Sequence, residues 1–242
     1  MRFRYLASRT FKEIYRDAIT IILGMLMPIS LLFLFSTIMS DDSYDTFSPV
    51  NLTPGIIIFS FAFITMFSAL LLAKDRERSF LTRLMTSPLQ PKDYVLAYTL
   101  PYIPIGFAQI IVCYITGMII GFPFSIYIFT SLIIFIPAML VSIGLGLVLG
   151  VLLTENQVSA AGAFVLVIAS LFSGAWMDLD MIGGVFKRVG YLLPYAHAVE
   201  ASRSILAGNP ISDSLTGILV NCGYAAFFLI LGGLIFKYRM KR

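Results

Sequence analysis

The chain has 242 residues, of which 59% are hydrophobic and only 12% charged. A water-soluble domain carries about a quarter charged residues, so there is too little polar surface here to cover a soluble globule of this length. The apolar residues come in long blocks and not in the short alternation of a β-barrel, which leaves an all-α integral membrane protein with one transmembrane domain over residues 1–242.

The net charge of +4 does not indicate nucleic acid, because nearly all the basic residues flank apolar blocks, where they orient a membrane protein. Cys113 and Cys222 both fall inside apolar blocks and suggest packing, not a disulfide framework.

Residues 2–16 form an amphipathic helix at about 100° per residue. Phe3, Ala7, Phe11 and Ile14 share one face, and Arg2, Arg9, Lys12, Glu13 and Arg16 the other, as expected of a helix lying in the membrane interface, the alternative being a cationic flank that only orients the first span. Six apolar spans follow, at about 18–39, 54–73, 94–120, 125–153, 158–176 and 215–236. Thr53-Pro54 reads as the N-cap and first turn of the second span. Pro101 and Pro104 predict a kink at the start of the third. Gly121-Phe122-Pro123 makes a tight turn, and Gly144, Gly146 and Gly150 let another helix approach the fourth span closely. Residues 177–214 hold apolar runs too short to span, broken by Gly183-Gly184, Pro194 and Gly208-Asn209-Pro210. They suit a re-entrant or interfacial hairpin of two short helices.

Fourteen of the 17 Lys and Arg residues fall in the N-terminal segment, the loop after span two and the tail. That bias predicts both termini in the cytoplasm of a multi-pass cell (plasma or inner) membrane protein, with the hairpin outside. The assigned spans contain no Asp, Glu, Lys, Arg or His, which argues against an ion-coupled carrier or a charged channel filter. No zinc motif, nucleophile elbow or phosphate-binding glycine loop occurs, so the chain is expected to bind no metal and to catalyse nothing by itself.

The most informative stretch is the charged loop 74–93. Helical spacing puts Phe80 beside Leu84 and Leu81 beside Met85, with Arg76, Arg78 and Arg83 as charged neighbours. Pro88 ends this short helix and Pro91 opens the next. Such a helix, held along the membrane between two spans, is a docking element; spacing alone does not distinguish it from an ordinary basic loop.

The loop resembles that of the permease subunits of type-2 ATP-binding-cassette exporters, through Glu77, Arg78, Leu84, Ser87, Pro88 and Leu89. A second match runs from Ser173-Gly174 through Leu193-Pro194-Tyr195-Ala196-His197-Ala198-Val199-Glu200 to Arg203 and Leu206-Ala207-Gly208, similar to the family's outer hairpin. Two departures stand out: Ala97-Tyr98 where the family often has Gly-Lys, and Trp176-Met177-Asp178 where it often has an apolar-Pro start to the hairpin.

The resemblance implies a membrane subunit paired with a second permease chain, identical or related. A separate ATPase would carry the ATP and Mg. It also implies a coupling helix containing Arg76, Glu77, Arg78, Phe80, Leu81, Arg83, Leu84, Met85 and Pro88, and an outer gate containing Pro194, Tyr195, His197, Glu200 and Arg203. Glu200 and Arg203, three apart, are placed to pair. The polar candidates for a substrate path are Thr65, Ser68, Gln109, Thr116 and Asn221, among many Phe and Met residues that suit a hydrophobic or amphipathic cargo such as a drug, lipid or peptide. An ATPase-independent carrier or channel, and a non-transporting resistance or sensor subunit, are the competing expectations.

Overall fold

A computed structural model describes residues 3–38, 48–78, 90–176 and 179–239. Helix α1 (Phe3–Arg16) leads into α2 (Ala18–Ile38), and α3 (Pro49–Glu77) is the longest helix described. The third span is split into α4 (Pro91–Thr99) and α5 (Tyr102–Ile120) at Leu100-Pro101, beside the prolines that were expected to kink it. Then come α6 (Tyr127–Leu152), α7 (Glu155–Phe172), three short helices α8 (Leu179–Ile182), α9 (Gly184–Leu192) and α10 (Pro194–Leu206), a 3-10 turn, and α11 (Leu215–Arg239). No strand occurs among the described residues.

Among the described residues, six helical segments are long and apolar enough to cross a membrane, in the expected order. Helices α3 and α6 are the inner pair: 72% and 67% of their apolar windows are buried, against 17% for α2, α7 and α11. Small residues set the spacing of that pair. A Cβ on Gly150 would lie 2.6 Å from the Ala69 carbonyl oxygen, and one on Gly146 2.6 Å from that of Thr65. The two backbones meet as closely as the glycines allow. The core runs through Ile56, Phe61, Ile64, Ile134, Phe135 and Met139.

Several expectations are corrected. Helix α3 starts at Pro49, with Ser48 at the N-cap position but making no side-chain cap bond, so Thr53 is inside the helix and its hydroxyl donates to the Pro49 carbonyl at 2.7 Å. At 29 residues α3 is roughly 43 Å long, more than a hydrocarbon layer of about 30 Å. Its last turn therefore carries Lys74, Asp75, Arg76 and Glu77, and the span is not free of ionisable groups. The face that α1 buries is Leu6, Thr10 and Ile14, while Phe11 is 46% exposed. Arg9, assigned to the outer face, is half-buried because its partner Asp75 draws it inward.

The described residues after span five contain three short helices where two were expected. Its helix α10 is wedged among α3, α6 and α11, burying Tyr195, Ala198, Val199, Ser202 and Ile205.

Candidate functional site: the charged end of the third helix

Four successive residues end α3, and at least three of them reach a different neighbour. Asp75 continues the inward face of Leu72, three residues back, and its side chain is only 2% exposed. A buried carboxylate persists when charge and hydrogen bonds compensate it. Here Arg9 of α1 donates Nη2 to Oδ1 at 2.7 Å and Nη1 to Oδ2, and the Tyr98 hydroxyl of α4 donates to Oδ2 at 2.5 Å. One carboxylate thus ties α1, α3 and α4 together. Arg9 is also 2.6 Å from Glu13. Burial opposes the Arg9 charge, but hydrogen bonding and attraction to Asp75 prevail and lift its pKa above the ordinary value. Burial, and then repulsion from Asp75, raise that of Glu13, against the attraction of Arg9.

Arg76 and Glu77 grip the corner between α6 and α7 from both sides. The Arg76 guanidinium donates to the carbonyls of Val151 and of Leu153, the latter at 2.6 Å, at the C-terminal end of α6. These are orphan acceptors at the negative end of a helix dipole, where a cation is favoured. Glu77 Oε1 accepts the Glu155 amide at 2.9 Å, at the first turn of α7, where an anion is favoured. Thr154 and Gln157 complete that turn as a reciprocal cap. Arg78, the next residue, is exposed.

Phe80, Leu81, Arg83, Leu84, Met85 and Pro88 lie outside the described residues, as do Ser87, Leu89, Met177 and Asp178. The loop re-enters the described chain at Gln90, where Asp93 Oδ2 accepts the Gln90 amide at 2.9 Å and Pro91 opens α4.

The outer-hairpin residues are dispersed by the fold. Tyr195 is buried with its hydroxyl 3.4 Å from Ser142, and His197 Nε2 lies 2.9 Å from the Tyr191 carbonyl. Glu200 is exposed and makes no ion pair with Arg203. Arg203 points the other way, donating to the Asn51 carbonyl at 2.9 Å and the Ala175 carbonyl at 3.0 Å, and so stitches α10 to the start of α3.

The polar path candidates are not brought together either. Thr65 donates to the Ser142 carbonyl, Ser68 to that of Thr65, Thr116 to that of Val112, and Asn221 to those of Pro194 and Gly217. Each is satisfied by backbone within the bundle. Gln109 alone of these lines a cavity of about 360 Å³, beside Gly24, to whose carbonyl its amide donates at 3.3 Å.

The sequence reading missed Arg9, Asp75 and Tyr98 as a unit. The available signal was the phase of Asp75, which extends the buried stripe Ser68, Leu72 at helical spacing.

The six apolar helices among the described residues, two of them a packed inner pair, define a multi-pass helical membrane protein. Its sequence matches the ABC-2 type transporter family over residues 1–207, and the chain belongs to that family as a membrane transport permease. It is 28% identical over 256 residues, covering 98% of this chain and 88% of the relative, to ycf38 of Cyanophora paradoxa, whose name describes a transport permease. The ycf38 protein of Porphyra purpurea is 26% identical, covering 96% and 82%. YbhS of Escherichia coli (strain K12), whose name describes a multidrug ABC transporter permease, is 25% identical over 77% of this chain and 51% of its own length.

Proposed function

We propose that this chain is the permease subunit of an ABC exporter, lining the substrate path and driven by a separate ATPase that holds ATP and Mg. Two permease chains face each other, with the termini and the loop 78–90 in the cytoplasm and α8–α10 outside. Helix α1 lies along the cytoplasmic interface, with exposed Tyr5 and Tyr15 suited to headgroup depth. The cargo is hydrophobic or amphipathic.

The observation that carries this reading is the joint at Asp75, Arg76 and Glu77. It stands at the root of the loop whose Glu77, Arg78, Leu84 and Pro88 resemble a coupling helix. A helix between Phe80 and Met85 seated on the ATPase would pull directly on α3. Through Asp75 the movement reaches α1 and α4, and through Arg76 and Glu77 the α6–α7 corner. Interfaces of this kind switch between discrete packings and do not bend continuously. Asp75 is held by Arg9 and Tyr98, and so acts as a structural joint, not as a site for a coupling ion.

The test is to purify the tagged chain from its native membrane in mild detergent, alongside Leu84→Arg. Co-purification of an ABC-type ATPase with wild type and its loss in the variant is the expected result. Absence of any ATPase even after crosslinking overturns the proposal and leaves a membrane protein that works alone.

A further inference from the structure

The cavity beside Gln109 lies between the α1–α2 junction, α3 and α5, and its lining changes character with depth. Its rim carries two carboxylates, Glu13 and Asp17, and two cations, Arg16 and Lys74. Below the rim the wall is Ile21, Leu71, Phe67 and Ile105. Lys74 and Phe67 are seven residues apart on one helix, a descent of roughly 10 Å, about two-thirds of one leaflet's hydrocarbon depth.

The polar groups of the floor are already satisfied. Tyr102 donates to the Phe67 carbonyl at 3.0 Å, and Gln109 to that of Gly24. The rim is not. Lys74 and Arg16 make no side-chain hydrogen bond or ion pair among the described residues. Glu13 Oε2 is buried and ion-paired with Arg9, but no donor is aligned on it as a hydrogen bond among them. An occupant carrying a single charge would be attracted by half of this rim and repelled by the other half. One carrying both signs a few ångströms apart, on an apolar tail, is matched by all of it.

We infer that this cavity holds a zwitterionic phospholipid with a primary ammonium head, phosphatidylethanolamine. Its phosphate sits at Lys74 and Arg16, its ammonium at Glu13 and Asp17, and the start of one acyl chain along Ile21, Phe67 and Ile105. The volume, near the lower end of the roughly 300–1,000 Å³ usual for small-molecule sites, admits a head group and a short length of chain, with the remainder in the bilayer. The lipid would rest against α1 and α3 beside the Arg9–Asp75 joint. The inference depends on the chain being embedded in a bilayer, not on its coupling to an ATPase.

The test uses the full chain in nanodiscs doped with phosphatidylethanolamine or phosphatidylglycerol bearing a photoreactive group near the start of one acyl chain, with crosslinks mapped by peptide mass. Labelling of peptides containing residues 13–24 and 67–74 by the ethanolamine probe, well above that by the glycerol probe, is expected. The double variant Asp17→Asn, Lys74→Met keeps the side-chain oxygen that accepts the Thr20 amide and the aliphatic stem of the lysine. It should lower that labelling about ten-fold while leaving melting temperature and elution volume unchanged. A second variant, Ile105→Trp, should block the probe by filling the cavity.

Equal labelling by both probes, labelling confined to other peptides, or labelling undiminished in both variants would overturn the inference. Loss of ATPase co-purification would leave this result standing, and failure here would leave the exporter reading standing.

Discussion

Replacing Arg9 by methionine removes the charge partner of a carboxylate that is only 2% exposed. Tyr98 then remains as its one side-chain hydrogen-bond partner among the described residues. Breaking a buried ion pair from one side costs about 3–5 kcal/mol, because the remaining charge stays desolvated. At about 2–4 °C per kcal/mol for a chain of this size, melting should fall by roughly 6–20 °C.

The reverse substitution, Asp75→Asn, is milder. The amide keeps an acceptor for Arg9, whose side chain is 35% exposed and can turn to water, so a cost of about 1–3 kcal/mol is expected. The double variant should melt close to Asp75→Asn and above Arg9→Met, because no buried charge is left.

Trp176 is the only tryptophan and packs against Phe59 at 4.9 Å and Phe35 at 5.3 Å, so its fluorescence reports loss of the bundle during a melt in detergent. If Arg9→Met melts with wild type, or if the double variant shows the sum of the two single losses, the Arg9–Asp75 pair does not hold α1 to α3 and the joint is not built as argued.

Arg76→Met leaves the Val151 and Leu153 carbonyls without their donor and should cost about 1.5–3 kcal/mol in the same melt. Under the proposed exporter function it should retain the ATPase on co-purification while lowering transport. Gly146→Val places methyl groups where a Cβ alone would sit 2.6 Å from the Thr65 carbonyl oxygen, so folded yield should collapse. Gly223→Ala, with nothing within 4 Å, should express as wild type; near-normal yield for Gly146→Val would show that α3 and α6 are not so closely packed. Glu13, its folded-state pKa raised by burial and by Asp75, contributes stability below its ordinary value of 4.5 and loses it as pH rises through the folded value. Glu13→Gln should therefore gain on wild type in melting temperature between acid and neutral pH; a constant difference across that range refutes the shift.

The six spans were legible because each must cross the hydrocarbon layer with some twenty apolar residues, a demand that leaves long blocks in the sequence. What crosses between helices was not. Arg9 was assigned to the polar face of α1 because periodicity sees only its own helix, and its partner Asp75 is 66 residues away. The length of α3 was underestimated for the same reason. A hydropathy block ends at Ala73, but the helix continues because Asp75, Arg76 and Glu77 find partners on α1, α4, α6 and α7. The separation of Glu200 from Arg203 shows the limit of spacing rules. Three residues apart on a helix permits a pair, yet the arginine gains more from two backbone carbonyls at the start of α3 and the end of span five. Polar residues such as Thr65 and Asn221 looked like path candidates because sequence does not show which carbonyls satisfy them.

The tetrapeptide Lys74–Glu77 has a consequence for anyone recombining these proteins. Successive residues on a helix point about 100° apart, so deleting a single residue between Leu72 and Lys74 would deal each side chain to its neighbour's socket: the Arg76 guanidinium toward Tyr98, the Glu77 carboxylate toward the helix-end carbonyls. The loop beyond Arg78 carries no such phase constraint from this joint. Chimaeras that exchange this loop should therefore be joined after Glu77, with the count of residues from Ser68 to Glu77 left untouched.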